Sequence, residues 1–133
     1  MRRSITMSVV ISALALTAMA QDWYQERTGR YQGEAWRPHI FDNVRIDLEH
    51  VWSAGQAKDR ERVRLDKTKE ELYKMQVDLE QGRFDNGILN DVIDSLRKSS
   101  NDDLLAGPDK EVLADDVVRL KDFQNNHDKW PHK

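Results

Sequence analysis

The sequence predicts an all-α fold: a small antiparallel helical bundle of three to four helices after a signal peptide. Three observations carry this. Apolar residues recur at helical spacing in four separate stretches, and no stretch alternates apolar and polar long enough for a strand. Gly-Arg-Phe-Asp at 82–85 reads as a tight turn between two helices. The chain has 133 residues, 34% of them charged, and no cysteine. A fold of this size must then rest on packing, capping and surface charge pairs.

Residues 1–20 read as an export signal. Met1-Arg2-Arg3 is a short cationic start, Ile5 to Leu16 an apolar core, and Ala18-Met19-Ala20 a small-x-small cleavage pattern that places the mature start at Gln21. The apolar stretch is shorter than the ~20 residues of a spanning helix, so cleavage is preferred over retention as an anchor. The expected location is periplasmic or secreted, with no membrane span after signal cleavage. These twenty residues hold 13 apolar side chains and no acid, which biases the overall 38% hydrophobic content and the net charge of −3. Without them the net charge is −5, and Leu, Ile, Val and Phe make up 25 of 113 residues. That suffices for one domain with a small core.

Residues 21–37 carry Trp23, Tyr24, Tyr31 and Trp36 among Gln, Glu, Arg and Gly without a helical or strand period, which predicts an irregular aromatic and polar lead-in. Its aromatics and arginines suit stacking on nucleobases or sugars. Packing back on the helical domain is the preferred alternative.

The bundle is expected over 38–125. Pro38 suits the first position of a helix. Phe41, Val44, Leu48 and Val51 then form one apolar stripe with Trp52 beside it, leaving Asp42, Asp47, Glu49 and His50 to other faces. Gly55 breaks that pattern. A long charged helix follows over 56–81, where Lys67/Glu71 and Glu70/Lys74 form i, i+4 pairs. Leu65, Leu72 and Leu79 repeat every seven residues, with Thr68 and Met75 on the same seam. Two heptads fall short of the three or four that argue for a coiled coil, so packing within a bundle is the better reading. The first half, with Val63 alone, has little to bury and is expected to project or fray.

Gly82 sits where a helix needs a left-handed cap, Asp85 suits the N-cap of the next helix, and Phe84 and Leu89 are spaced for a hydrophobic staple. Leu89, Val92, Ile93 and Leu96 are the inward face of that helix, with Gly87 a weak point in its first turn. Residues 99–107 are a polar loop in which Leu104 and Leu105 are expected to plug the end of the bundle. Pro108 restarts a helix with Asp109 and Glu111 in its first turn, and Val112, Leu113, Val117, Leu120 and Phe123 are its buried face. Residues 126–133 are expected to form a polar tail.

The run Trp36-Arg-Pro-His-Ile-Phe-Asp-Asn-Val-Arg-Ile-Asp-Leu-Glu-His-Val51, then Gly82-Arg-Phe-Asp85, then Leu113-Ala-x-Asp through Arg119-Leu-x-x-Phe123 resembles small exported bacterial helical proteins with no assigned function. The resemblance spans residues 27–123. It implies export and a helical fold, with no activity, ligand or catalytic residue to carry over.

Motifs for chemistry are few. The absence of cysteine excludes thiol catalysis, zinc–thiolate sites and iron–sulfur clusters within this chain. Asp102, Asp103, Asp109, Glu111, Asp115 and Asp116 cluster in sequence without the alternating acids of a calcium loop, and read as solvated helix-start acids. His39, His50, His127 and His132 are scattered and read as incidental surface residues. No nucleophile elbow, phosphate-binding glycine loop or zinc-protease motif occurs, so no catalytic, cofactor-binding or metal residue is assigned. The acidic net charge and interleaved basic residues argue against nucleic acid. The function expected is that of an exported, non-catalytic helical protein with a protein or cell-envelope partner, of undetermined oligomeric state. The alternative is a periplasmic stress chaperone or metal-sensing helical protein.

Overall fold

A computed structural model describes residues 22–54 and 59–130. Residues 1–20, expected to be an export signal, lie outside the described residues, as do Gly55, residues 56–58 of the expected long helix, and His132. Among those described, the fold is all-α: α1 over 22–30, α2 (Ile40–Ala54), α3 (Asp59–Glu80), α4 (Asn86–Ser100) and α5 (Gly107–Asn126), with single 3₁₀ turns at Arg37–His39 and His127–Lys129. Two compact units divide the chain at Trp36.

In the first unit, residues 22–30 are helical, whereas the lack of an apolar period predicts irregular chain. The stripe exists once an arginine stem is counted as apolar cover. Trp23, Arg27 and Tyr31 recur every four residues, and the Arg27 guanidinium lies 4.7 Å over the Tyr31 ring. Arg30 faces both Trp23 and Tyr31, Tyr31 meets Trp36 edge to face, and the Trp36 indole N–H donates to Gly33 O at 2.9 Å. The aromatics and arginines of this segment therefore engage one another.

In the second unit, α2 contacts α3, α3 contacts α4, α4 contacts α5, and α5 returns to α2. Neighbours run antiparallel. Asp42, Arg45 and Trp52 of α2 meet Gln76, Tyr73 and Lys69 of α3 in reverse order, and Arg64 and Thr68 of α3 meet Ser99 and Ser95 of α4. The four apolar stripes converge: Phe41, Val44, Leu48 and Val51; Leu65, Leu72 and Met75; Leu89, Val92, Ile93 and Leu96; and Val112, Leu113, Leu120 and Phe123 are all buried, while Leu79 and Val117, expected on the same stripes, are only half-buried.

The 82–85 turn is built from local chemistry. Gly82, at φ 75°, occupies the left-handed region that a Cβ disfavours. Its N–H donates to Leu79 O, and the Arg83 N–H reaches back to Asp78 O at 2.8 Å, a full Schellman closure. Asp85 Oδ1 accepts from the amides of Gly87 (2.8 Å) and Ile88 (3.1 Å), so it caps α4. A Cβ on Gly87 would lie 3.2 Å from that same oxygen, so the glycine makes room for the cap. Phe84 rests edge-on against Phe123 and His127.

Several expectations are corrected. The start of α3 is helical from Asp59 rather than frayed, although it buries little before Leu65, as expected, with Val63 71% exposed. Pro38 lies within the 3₁₀ turn, and the α-helix starts at Ile40. The segment after α5 is not a free polar tail. His127 stacks on Phe123 with its Nδ1 2.8 Å from Phe123 O, and buried Trp130 meets Phe123 under the Arg37 guanidinium. Aromatic area, invisible to an aliphatic period, holds this end. Leu105 is half-buried at the opposite end, while Leu104 stays 52% exposed.

Candidate functional site

The α3 seam buries Leu65, Thr68, Leu72 and Met75, which leaves Arg64, Lys67 and Glu71 on its flank beside α4. On α4, Val92, Ile93 and Leu96 point inward, Ser95 lies buried at the edge, and Asp91, Asp94 and Lys98 flank it. A groove of about 210 Å³ runs between the two rows. Its floor is the buried pair Thr68 and Ser95, whose hydroxyl oxygens are 2.7 Å apart. Thr68 donates its single proton to Arg64 O at 2.9 Å, so Ser95 is the donor between them.

Because the helices are antiparallel, charge is segregated along the groove. By this register Arg64, Lys67 and Lys98 gather at one end and Glu71 and Asp91 at the other, with Asp94 beside the central pair and 3.7 Å from Arg97 Nη1. Burial pushes the Glu71 carboxyl above its ordinary range and the neighbouring Asp91 charge adds to this, while Lys67 opposes it. The acidic end thus holds facing like charges. At the basic end, Arg64 Nη2 donates to Ser99 Oγ at 3.2 Å.

Arg64 also borders an adjoining apolar pocket of about 20 Å³ under Val51, Leu65, Leu105 and Leu113, roughly the volume of one water. At its rim the Leu104 N–H donates to Asp102 Oδ1 at 2.9 Å. That bond, a side-chain hydrogen bond with Glu61 and the Arg64 and Lys110 charges hold the Asp102 carboxyl below its ordinary range.

The acidic residues grouped by sequence do not share one environment. Asp109 and Asp116 are buried, Asp115 pairs with Arg119 at 2.9 Å, and Asp103 pairs with Lys110 at 3.3 Å. The reading of solvated helix-start acids fails for the two buried ones. Asp47, assigned to a face other than the apolar stripe, is also fully buried. His50 Nε2 lies 3.8 Å from Asp109 Oδ1, and half-buried His127 caps α5, so neither is incidental. His39 is exposed. Among the described residues, no three His, Asp or Glu side chains are placed to hold a metal ion, and no helix is long and apolar enough to cross a membrane.

The sequence reading missed the Thr68–Ser95 link. The available signal was a hydroxyl residue on the apolar seam of each facing helix. It also missed Gln76, which is buried. Its Nε2 donates to Pro38 O at 2.8 Å, and its Oε1 accepts from the Asp42 N–H at 3.2 Å, so it clamps the start of α2 to α3. No protein-family model, curated protein or solved structure matches the chain, so a functional reading starts from the groove's own chemistry.

Proposed function

We propose that the chain is an exported, non-catalytic protein, an antiparallel bundle of four helices preceded by a short helix, that engages a protein or cell-envelope partner along the α3–α4 face. The charge-segregated groove is the observation that carries this reading. Six charged side chains on two packed helices form a pattern of opposite charge, the kind of surface that gives a partner its orientation and specificity. Its 210 Å³ fall below the ~300–1,000 Å³ of small-molecule pockets, which favours a few partner groups over an engulfed substrate. Export rests on the cationic start, apolar core and Ala18-Met19-Ala20 pattern of residues 1–20.

Site-specific photo-crosslinking in the envelope fraction tests this. A crosslinker at Lys67 or Lys98 should trap the same species, and one at exposed Val118 on α5 should not. Equal labelling from all three sites, or aggregation-suppressing activity toward an unfolded client without groove crosslinks, would overturn the reading, the latter in favour of a chaperone. N-terminal sequencing of the exported product should begin Gln21-Asp22-Trp23, and an intact Met1 would refute cleavage.

A further inference from the structure

We propose that the α3–α4 groove binds a zwitterion whose anionic and ammonium groups lie about one helical turn apart, the chemistry presented by a free ω-amino acid or by a C-terminal lysine. This deepens the binding reading above and rests on it.

The spacing follows from the helices. Lys67 and Glu71 are four residues apart on α3, an axial rise of ~6 Å. Arg64 opposite Ser99, and Thr68 opposite Ser95, set an antiparallel register that brings the two basic ends together and the two acidic ends together. A parallel pair would have placed Lys98 beside the carboxylates of α3. The groove therefore offers cations to an anion at one end and carboxylates to an ammonium at the other. An α-amino acid such as glycine, with adjacent charges, cannot reach both ends.

The interior supports the same ligand. Thr68 and Ser95 have both committed their protons, which leaves oxygen lone pairs on the floor between the charged ends. Glu71 and Asp91 carry like charge, and Glu71 is already pushed toward its neutral form. An ammonium placed between them relieves both the repulsion and the burial cost. A lone anion or a lone amine would meet only half of the pattern.

Amide NMR titration of the purified chain tests the proposal. The probes are 6-aminohexanoate, hexanoate, hexylamine, glycine, Nα-acetyl-lysine and its methyl ester. Saturable shifts are expected at residues 64–71 and 91–98 with 6-aminohexanoate, about tenfold tighter than with either half-molecule or with glycine, since each end adds a charge-assisted contact. Tight binding of Nα-acetyl-lysine but not its ester assigns a C-terminal lysine as the source; failure of both beside 6-aminohexanoate assigns a free ω-amino acid. Glu71→Lys should abolish saturation, while Glu70→Lys, at an exposed position on the same helix, should preserve it. Helical circular dichroism checks that both variants fold, and Asp91→Asn, which should weaken binding, stands in if Glu71→Lys does not. Equal binding of hexylamine or hexanoate, shifts spread beyond the groove, or no saturation overturns the proposal. Groove crosslinks without zwitterion binding would refute this ligand class alone. Zwitterion binding without crosslinks would refute the macromolecular partner alone.

Discussion

Gln76→Leu removes a polar clamp while keeping most of the side-chain volume, so its cost reports hydrogen bonding more than packing. Gln76 is 2% exposed and makes two bonds to the backbone at the start of α2, to Pro38 O and from the Asp42 N–H. The two losses are unequal. Pro38 is exposed and its carbonyl can turn to water, which limits that loss to ~0.5–1.5 kcal/mol. Asp42 lies in the half-buried first turn of α2, where amides lack intrahelical acceptors, so losing the Gln76 acceptor costs at most ~1–3 kcal/mol. Burying a leucine in place of an amide returns about 1 kcal/mol. The net destabilisation is about 2 kcal/mol, or roughly 8–16 °C in Tm for a unit of this size. Gln76→Glu should cost more, because a buried carboxylate keeps the Asp42 bond but faces the Pro38 carbonyl without a proton. Urea and thermal unfolding followed by circular dichroism give the energies, and amide hydrogen exchange at Asp42 gives the local readout. A Tm change below about 2 °C with unaltered Asp42 exchange would show that Gln76 is not a clamp.

Three further outcomes are expected. Leu89→Ala, at a fully buried site, should cost ~2–5 kcal/mol in chemical denaturation, and Leu72→Asp should leave no cooperative transition. Asp85→Ala removes the acceptor for two α4 amides and should cost ~0.5–2 kcal/mol, with faster exchange confined to Gly87 and Ile88 if α4 frays locally. Glu71→Gln and Asp102→Asn should act with opposite sign in thermal melts taken across pH. The raised Glu71 pKa means that the folded state binds more protons there, so its penalty grows as pH rises through that value, and Glu71→Gln should stabilise at neutral pH and not in acid. The lowered Asp102 pKa gives a contribution present at neutral pH and lost as pH falls through its folded value, so Asp102→Asn should destabilise only above that window.

Much of the helical framework was legible from sequence because its determinants are local. A 3.6-residue apolar period, a glycine at a left-handed cap and an aspartate two and three residues before free amides act over a single turn, and they correctly placed the buried stripes and the 82–85 turn. The errors share a cause. The α1 helix and the Trp130 closure depend on arginine stems and aromatic faces, which an aliphatic period does not register.

The candidate site was much less visible. Lys67/Glu71 was recognisable as an i, i+4 pair and Thr68 as a seam residue, yet nothing along the chain joined them to Asp91, Ser95 and Lys98. By itself the sequence determined which residues can form helices, which stripe of each must be buried, and how one turn is closed. The tertiary structure alone decided that Asp47, Asp109 and Asp116 lie inside, that Gln76 ties α3 to α2, and that basic and acidic residues from two helices segregate along one groove. Those outcomes depend on the register in which antiparallel helices meet. Register is fixed by packing between segments distant in sequence, and a residue's own neighbours carry no record of it.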